Sequence, residues 1–600
     1  MAASRWRRAA RTDAVASSAV RGAGALTAAV ACALGLAAPA SAYTPLQPRY
    51  DNATSEEYVR MDDGVELAAA VGRPAHGSTP APGRFPVVLT LTPYSKAVEG
   101  TDDYLVSRGF VHVVVDIRGS GESEGNLNEN YFSPREQKDG AALVEHFARE
   151  PWSNGRVGMV GGSYEGITQY MTAGQRPPHL KAIVPAVALE DLYRDAAYHG
   201  GILSQFFGAQ YLALQQNGAG LLSGPQDPSN RDKAAKAKLD QAQSESIAWD
   251  YLANTTYDDF YKHRSPGPLA SRIQVPALIY DGWFDGFIRG ASEMWRHLQG
   301  RQGVETSLWV DPVPHKGAAG LPFNPQGYPA SKLDDFKARE LEFLDRYLNG
   351  AKPPSQPRVK LYVMGRDRYI TGSSWPPAGV HYRRYYLGVG ALGRGRAAAG
   401  EQSYATDPAD GWTNTLGRHG DLAVTPYLPF DQSYEEHEGL VWQTPALARP
   451  LTLVGPISMH LVARSTAPDT DWFVRVSDVA PGGKATLLTE GFLRASHRAL
   501  NRKLSRPERP YHTHVDPQPI EPNKWIPYEI EVWPTANEFQ PGHSVRLQLA
   551  SNDTPNHTPG TFTLDKDDPS RFEFRPNQPA VNTIRYGGAD GSSVLLPVLP

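Results

Sequence analysis

Three residue types, widely spaced in this chain, can together perform acyl transfer: a serine set among glycines, then an aspartate, then a histidine. The serine is Ser163, in Gly155-Arg-Val-Gly-Met-Val-Gly-Gly-Ser-Tyr-Glu-Gly166, where a short apolar run enters a glycine-rich turn and leads into the amphipathic stretch Ile167 to Ala173. A hydroxyl on such a strand-to-helix turn is a nucleophile elbow. The backbone there is strained and only small neighbours fit, room that the glycines at 161, 162 and 166 are expected to supply. The free N–H groups opening the following helix favour negative charge developing at the same point. The letters Gly-x-Ser-x-x-Gly arise by chance in a glycine-rich chain, so the strand-turn-helix setting is what gives them meaning.

Such a serine needs a base, and the base needs a carboxylate to orient it; on this kind of scaffold they follow in the order serine, acid, histidine. Asp285, in Asp281-Gly-Trp-Phe-Asp-Gly-Phe287, follows the strand-like Ala277-Leu-Ile-Tyr and is the expected acid. Asp281 is its rival, expected to be structural because it lies nearer the strand. His315, in Trp309-Val-Asp-Pro-Val-Pro-His-Lys, follows the next strand and is the expected base, with Asp311 read as a loop residue. Two donors must hold the developing oxyanion. One is expected from the backbone N–H of Tyr164 and the other from the phenol of Tyr94, at the end of Pro86-Val-Val-Leu-Thr-Leu-Thr, for which simple aromatic packing is the alternative. No cofactor is required, and no histidine or cysteine cluster has zinc spacing.

The elements that must position these groups are legible as alternating strand and helix patterns. Continuous apolar runs at 86–92, 110–116, 156–160, 182–187, 277–280 and 306–310 predict strands buried on both faces, hence a mostly parallel sheet. Helices are predicted at Pro134 to Arg149, Glu165 to Gly174, Phe287 to Gln299 and Ser331 to Leu348, after an N-terminal hairpin turning at Asp63-Gly64. The alternation divides the expected α/β domain into 43–188 and 269–352 around a helix-rich insertion, 189–268, expected to lie over the site. A decoration remote from the site is the alternative. After Pro353-Pro354 the pattern turns to alternating strands, so 353–600 is expected to be an all-β, jelly-roll-like sandwich.

Residues 1–42 read as a signal peptide: five arginines, an apolar run Ala23 to Ala38 and a cleavage site at Ala40-Ser41-Ala42, compatible with Sec or Tat export. The only cysteine, Cys32, lies inside it. The leader carries five Arg and one Asp, so its removal takes the formal charge from −4 to about −8. That balance gives no basic patch for nucleic acid, and no later stretch is long and apolar enough for a membrane helix. Oligomeric state is not legible.

Thr92-Pro-Tyr-Ser-Lys, Asp116-Ile-Arg-Gly-Ser-Gly-Glu-Ser-Glu-Gly125, Gly161-Gly-Ser-Tyr-Glu-Gly, Gly282-Trp-Phe-Asp-Gly-Phe, Asp471-Trp-Phe-Val-Arg-Val-Ser-Asp-Val and Gly491-Phe-Leu-Arg-Ala-Ser-His-Arg stand in one order along nearly the whole mature chain. In this the chain resembles the cocaine esterase and X-Pro dipeptidyl-peptidase family of serine hydrolases. The resemblance implies an α/β-hydrolase domain, a helical cap and a jelly-roll domain around one site. It implies Ser163 as nucleophile, Asp285 as acid, His315 as base, Tyr94 and Tyr164 as oxyanion donors, and Phe287 lining the acyl pocket. One departure is Asp311-Pro-Val-Pro-His, where the family often has Gly-Pro-Trp before the histidine. Relatives acting on α-amino acid esters carry an acidic pair two and three residues beyond the triad aspartate, plus a third carboxylate; here the pair is replaced by Phe287 and Ile288, and Asp195 is the candidate for the third, with an ion pair to Arg194 or another cap residue as the alternative reading. The expectation is a secreted serine hydrolase of the cocaine esterase type acting on a small ester or amide, with an X-Pro dipeptidyl-peptidase as the alternative and β-lactam acylase-like activity left open. An inert secreted carbohydrate-binding protein is the reading from another class.

Overall fold

The computed structural model describes residues 43–127, 131–205, 247–301, 303–315, 333–408, 431–433, 439–553, 560–564 and 572–600, with single positions 207, 211, 232, 233, 235–237, 239 and 558. The expected leader and most of the helix-forming stretch 206–246 lie outside these residues. At Asp63-Gly64 the glycine takes φ +90°, and β1 (Asp51–Arg60) folds back antiparallel on β2 (Glu66–His76). Next come β3 (Thr79–Pro80), β4 (Phe85–Thr92), β5 (Val111–Asp116), β6 (Ser153–Gly162), β7 (Leu180–Ala186), β8 (Tyr198–His199) and β9 (Ile202–Leu203). After the insertion come β10 (Ala277–Phe284), β11 (Thr306–Pro314), β12 (Val359–Val363) and β13 (Arg368–Gly372). The first sheet runs β1-β2-β5-β4-β6-β7-β10-β11-β12-β13, parallel from β5 through β12.

Period-two alternation explains the continuous apolar runs. Leu89, Met159 and Ile279 on β4, β6 and β10 pack with Leu143, Ile167 and Met294 of the helices Pro134–Arg149, Tyr164–Gln175 and Ile288–Leu298. Their neighbours Val88, Val160 and Leu278 face the other way, onto Leu341, Leu344 and Leu348 of the segment 336–349. Both faces are therefore covered, and each such buried side chain contributes roughly 1.5–3 kcal/mol. The helix Pro134–Arg149 begins where its residues direct: Ser133 Oγ accepts the N–H groups of Arg135 and Glu136 at 3.1 and 3.2 Å, and Pro134 has no N–H to satisfy.

The second sheet is built from β14 (His381–Leu387), β15 (Leu392–Gly393), β16 (Gly400–Thr406), β17 (Gly439–Gln443), β18 (Leu451–Ser465), β19 (Asp471–Val479), β20 (Ala485–Arg494), β21 (Ile526–Phe539) and β22 (Ser544–Ala550). A separate hairpin, β23 (Gly560–Leu564) with β24 (Phe572–Pro576), precedes β25 (Ala580–Tyr586) and β26 (Ser593–Leu599). Its main path is β15-β14-β26-β18-β21-β20-β19-β22-β17, giving an all-β C-terminal domain. β12 and β13, which follow the break expected at 352/353, still extend the first sheet. Residues 44–600 form one compact unit in which the two sheets are tied together: Met364, just after β12, pairs with Asn537 on β21.

Candidate active site

The chain leaves β4 for β5 on one side and crosses back to β6 on the other, so the sheet has a switch point at the carboxyl ends of β4 and β6, the place where open α/β sheets receive ligands. Tyr94 follows β4, Ser163 follows β6, Asp285 follows β10 and His315 follows β11, so four strand ends deliver four side chains to one crevice. Ser163 sits at φ 60°, ψ −125°, off the regions open to ordinary side chains, at a cost of about 1–3 kcal/mol that the surroundings must offset. They do so through backbone bonds: the Ser163 N–H donates to Ala186 O at 3.0 Å, and its carbonyl accepts from Gly166 and Ile167 at 2.9 and 3.0 Å. A Cβ on Gly166 would meet Ala186 O at 2.6 Å, so only glycine lets the helix approach β7 this closely. Gly162 is not under the same demand, since its Cβ would make ordinary contact at 3.4 Å.

His315 Nε2 lies 2.9 Å from Ser163 Oγ, and its Nδ1 lies 2.6 Å from Asp285 Oδ2. A carboxylate there fixes the proton on Nδ1 and leaves Nε2 to accept from the serine. The other Asp285 oxygen accepts the Phe287 N–H at 2.6 Å, which holds the carboxylate in place. The strand ends come this close at Gly282, where a Cβ would fall 2.0 Å from Val313 O. Asp281 does not reach the histidine: it is fully buried within β10, Oδ1 accepts the Gly282 N–H at 2.7 Å, and burial pushes its carboxyl well up, further raised by the charge of Asp285. Asp311 lies on β11 rather than in a loop, where its carboxylate accepts from Tyr280 at 2.8 Å, Trp309 at 2.8 Å and Tyr369 at 2.6 Å.

The Tyr94 hydroxyl donates to Ser163 Oγ at 3.2 Å, and its oxygen accepts the backbone N–H of Tyr164. The two expected oxyanion donors thus converge beside the serine, with the Tyr164 N–H held by the Tyr94 oxygen and the Tyr94 O–H by Ser163 Oγ until a carbonyl oxygen intervenes. Burial pushes the Tyr94 phenol up to about 12, so it keeps its proton and remains a donor. Tyr164's own phenol points elsewhere, to Glu136 Oε2 at 2.8 Å, with its ring stacked on Phe132 at 4.0 Å, anchoring the elbow. The Asp116–Gly125 motif acts on the same loop from below: Asp116 accepts from Lys96 N at 2.6 Å and from Glu122 N at 2.8 Å, fixing the turn just after Tyr94. Tyr94→Phe is expected to lower kcat by about 10²–10³, the effect of losing one oxyanion donor. Unchanged kcat on an aryl ester would remove Tyr94 from that role.

Sequence reading missed Glu165. Its buried carboxyl is pushed up to about 8 by desolvation despite hydrogen bonds from the Thr92 hydroxyl and the Gly162 N–H. Burial thus favours the neutral acid, which puts no negative charge beside a developing oxyanion. Thr92 Oγ1 accepts from Tyr94 N at 3.0 Å, which links Glu165 to the Tyr94 loop. Its position beside the nucleophile was visible in the sequence, but its burial was not.

Phe287 packs edge-on to His315, with ring centroids 5.3 Å apart, and faces Phe207 of the insertion at 6.5 Å. Tyr211 of the same insertion reaches Tyr94, hydroxyl to hydroxyl, at 3.2 Å, so these insertion residues lie at the site. Asp195 is buried. Its Oδ2 accepts the N–H groups of Glu190 and Asp191, both at 2.8 Å, and its Oδ1 binds Arg289 Nη1 at 2.8 Å. Its cation is thus Arg289, on the helix after Asp285, while Arg194 pairs with Asp191. Among the described residues no group of three or more His, Cys, Asp or Glu could hold a metal ion.

An α/β sheet that brings a serine, a histidine and an aspartate from three strand ends into one hydrogen-bonded line has the architecture of a serine hydrolase. Residues 63–317 match the family model described as X-Pro dipeptidyl-peptidase (S15 family), and residues 349–595 match that of the X-Pro dipeptidyl-peptidase C-terminal non-catalytic domain. The chain belongs to this family of serine hydrolases, which takes in cocaine esterase and the X-Pro dipeptidyl-peptidases. It is 28% identical to a cocaine esterase of Rhodococcus sp. (strain MB1 Bresler), over 91% of this chain and 98% of that one. A putative Xaa-Pro dipeptidyl-peptidase of Streptomyces avermitilis is 23% identical, over 77% of this chain and 71% of its own. A solved CocE/NonD family hydrolase from Staphylococcus aureus shares the fold with a TM-score of 0.70 at 21% identity, covering 94% of this chain and 99% of that one.

Proposed function

We propose that the protein is an esterase of the cocaine esterase type, acting on esters with uncharged acyl groups through an acyl-enzyme. Ser163 Oγ attacks the ester carbonyl while His315 Nε2 takes its proton. Asp285 stabilises the imidazolium so formed, and Tyr94 O–H with Tyr164 N–H holds the oxyanion. Collapse expels the alcohol, protonated by His315. Water, activated by the same histidine, then releases the acid.

The observation that carries the substrate reading is the occupation of Asp195. An α-amino acyl substrate brings an ammonium whose burial costs several kcal/mol unless a carboxylate receives it. Both oxygens of Asp195 are already engaged, by Arg289 and by two backbone N–H groups, and the ring that packs against His315 is the apolar Phe287. The expected result is a higher kcat/KM for a neutral aryl ester than for an α-amino acid ester or an X-Pro anilide at one pH. An anilide that outpaces the neutral ester, with the advantage lost in Asp195→Asn, would make the enzyme a dipeptidyl-peptidase. Export is part of the same proposal and rests on the leader at 1–42: the secreted product is expected to start near Tyr43 by N-terminal sequencing. A cytoplasmic product retaining Arg5 to Arg21 would overturn it.

A further inference from the structure

A second cleft, sharing no residue with the catalytic site, opens on the C-terminal domain. It holds about 560 Å³, within the range of sites for small organic ligands. Its floor is one row of side chains across four strands: Tyr386 on β14 pairs with Ser593 on β26, Ser593 with His460 on β18, and His460 with Glu529 on β21. Three guanidiniums border this row, those of Arg384, Arg396 and Arg585.

Each is held in place by something other than a carboxylate. Arg384 Nη1 donates to Ser593 Oγ at 2.8 Å. Arg396 donates to the carbonyls of Gly588 and Ala589 and lies over the Tyr386 ring at 4.7 Å. Arg585 lies over the Trp525 ring at 4.2 Å. None of the three is in an ion pair among the described residues, whereas Arg464, also over Trp525, is paired with Glu401 at 3.2 Å. Two acids stand against the three cations, which leaves the cleft net positive: Glu529, hydrogen-bonded to His460 Nδ1 at 2.6 Å, and Asp590, exposed at the rim. A guanidinium tied to a hydroxyl or carbonyl, or lying over a ring, has lost part of its freedom before any ligand arrives, and its planar fork matches carboxylate and phosphate oxygens.

We propose that this cleft is a binding site for an organic anion carrying two or more carboxylate or phosphate groups, of roughly trisaccharide size or smaller. A neutral sugar is disfavoured because the aromatic surface it would stack on is taken: guanidiniums lie over Trp525 and Tyr386.

The test is calorimetric titration of the full chain with tripolyphosphate, with trigalacturonate and with the neutral trisaccharide maltotriose at low ionic strength, where exposed charges are least screened. At least one of the two anions is expected to saturate a single site, and which of them does so identifies phosphate or carboxylate as the ligand group. Arg384→Gln with Arg585→Gln should weaken binding at least tenfold while leaving turnover of a small ester unchanged. Asp590→Asn, a rim change that puts no packing at risk, should tighten it. Saturation by neither anion, maltotriose binding as tightly as either, or an affinity indifferent to both the arginine pair and Asp590 would each overturn the proposal.

Discussion

Ser163→Ala is expected to abolish turnover, with a loss of about 10⁶ in kcat, the scale seen when a triad nucleophile is removed and only binding and oxyanion stabilisation remain. The oxygen removed is the one that His315 Nε2 contacts at 2.9 Å and Tyr94 at 3.2 Å. The fold should survive. The strained φ of 60° is held by backbone bonds to Ala186, Gly166 and Ile167, which alanine retains, and the side chain is only half-buried. The change in stability should stay within about 1 kcal/mol, the net worth of a typical hydrogen bond. Turnover of an aryl ester, labelling by a fluorophosphonate and a thermal melt read the three consequences. Labelling that persists in the alanine variant would show that another residue is the nucleophile.

What the sequence disclosed and what it hid follow from the range of the interactions involved. The helix Pro134–Arg149 was legible to the residue because its start is written locally, in Ser133 and Pro134. The four strand ends that carry Tyr94, Ser163, Asp285 and His315 were legible because buried parallel strands are continuous apolar runs followed by abrupt turns. The Arg289–Asp195 pair was not, since its partners stand 94 residues apart and several acids compete for one arginine. Nor was the allegiance of β12 and β13, whose short strands carry the same pattern whether they join the first sheet or the second. Glu165 was invisible for another reason: a glutamate in a helix's first turn ordinarily faces water, and only the packing of the elbow against the Thr92 strand end buries it.

Asp285→Asn should lower kcat by about 10⁴, while Asp281→Asn, four residues earlier, should leave it within about threefold of the parent. The asymmetry rests on what each carboxyl touches. Asp285 accepts the Nδ1 proton of His315 at 2.6 Å; an asparagine amide can instead donate to Nδ1, which places the ring proton on Nε2 and takes away the lone pair that must accept from Ser163. Its Oδ1 can still accept the Phe287 N–H, so the loop holds and the loss is one of catalysis rather than folding. Asp281 is sealed inside β10 with one oxygen on the Gly282 N–H and the other without a partner among the described residues, and burial holds it in the protonated form. A protonated carboxyl and an amide are nearly isosteric and both neutral, so the exchange disturbs little. Its raised pKa also fixes the sign of a stability effect. The folded state keeps this proton above the unfolded carboxyl's value of about 4, so stability is full below that pH and declines as pH rises through the folded value. Asp281→Asn removes that decline, and its melting temperature should gain on the parent's as pH increases. The measurements are kcat for both variants on one neutral ester and melts across pH 5 to 9. A large loss in Asp281→Asn with Asp285→Asn spared would move the orienting carboxylate to Asp281.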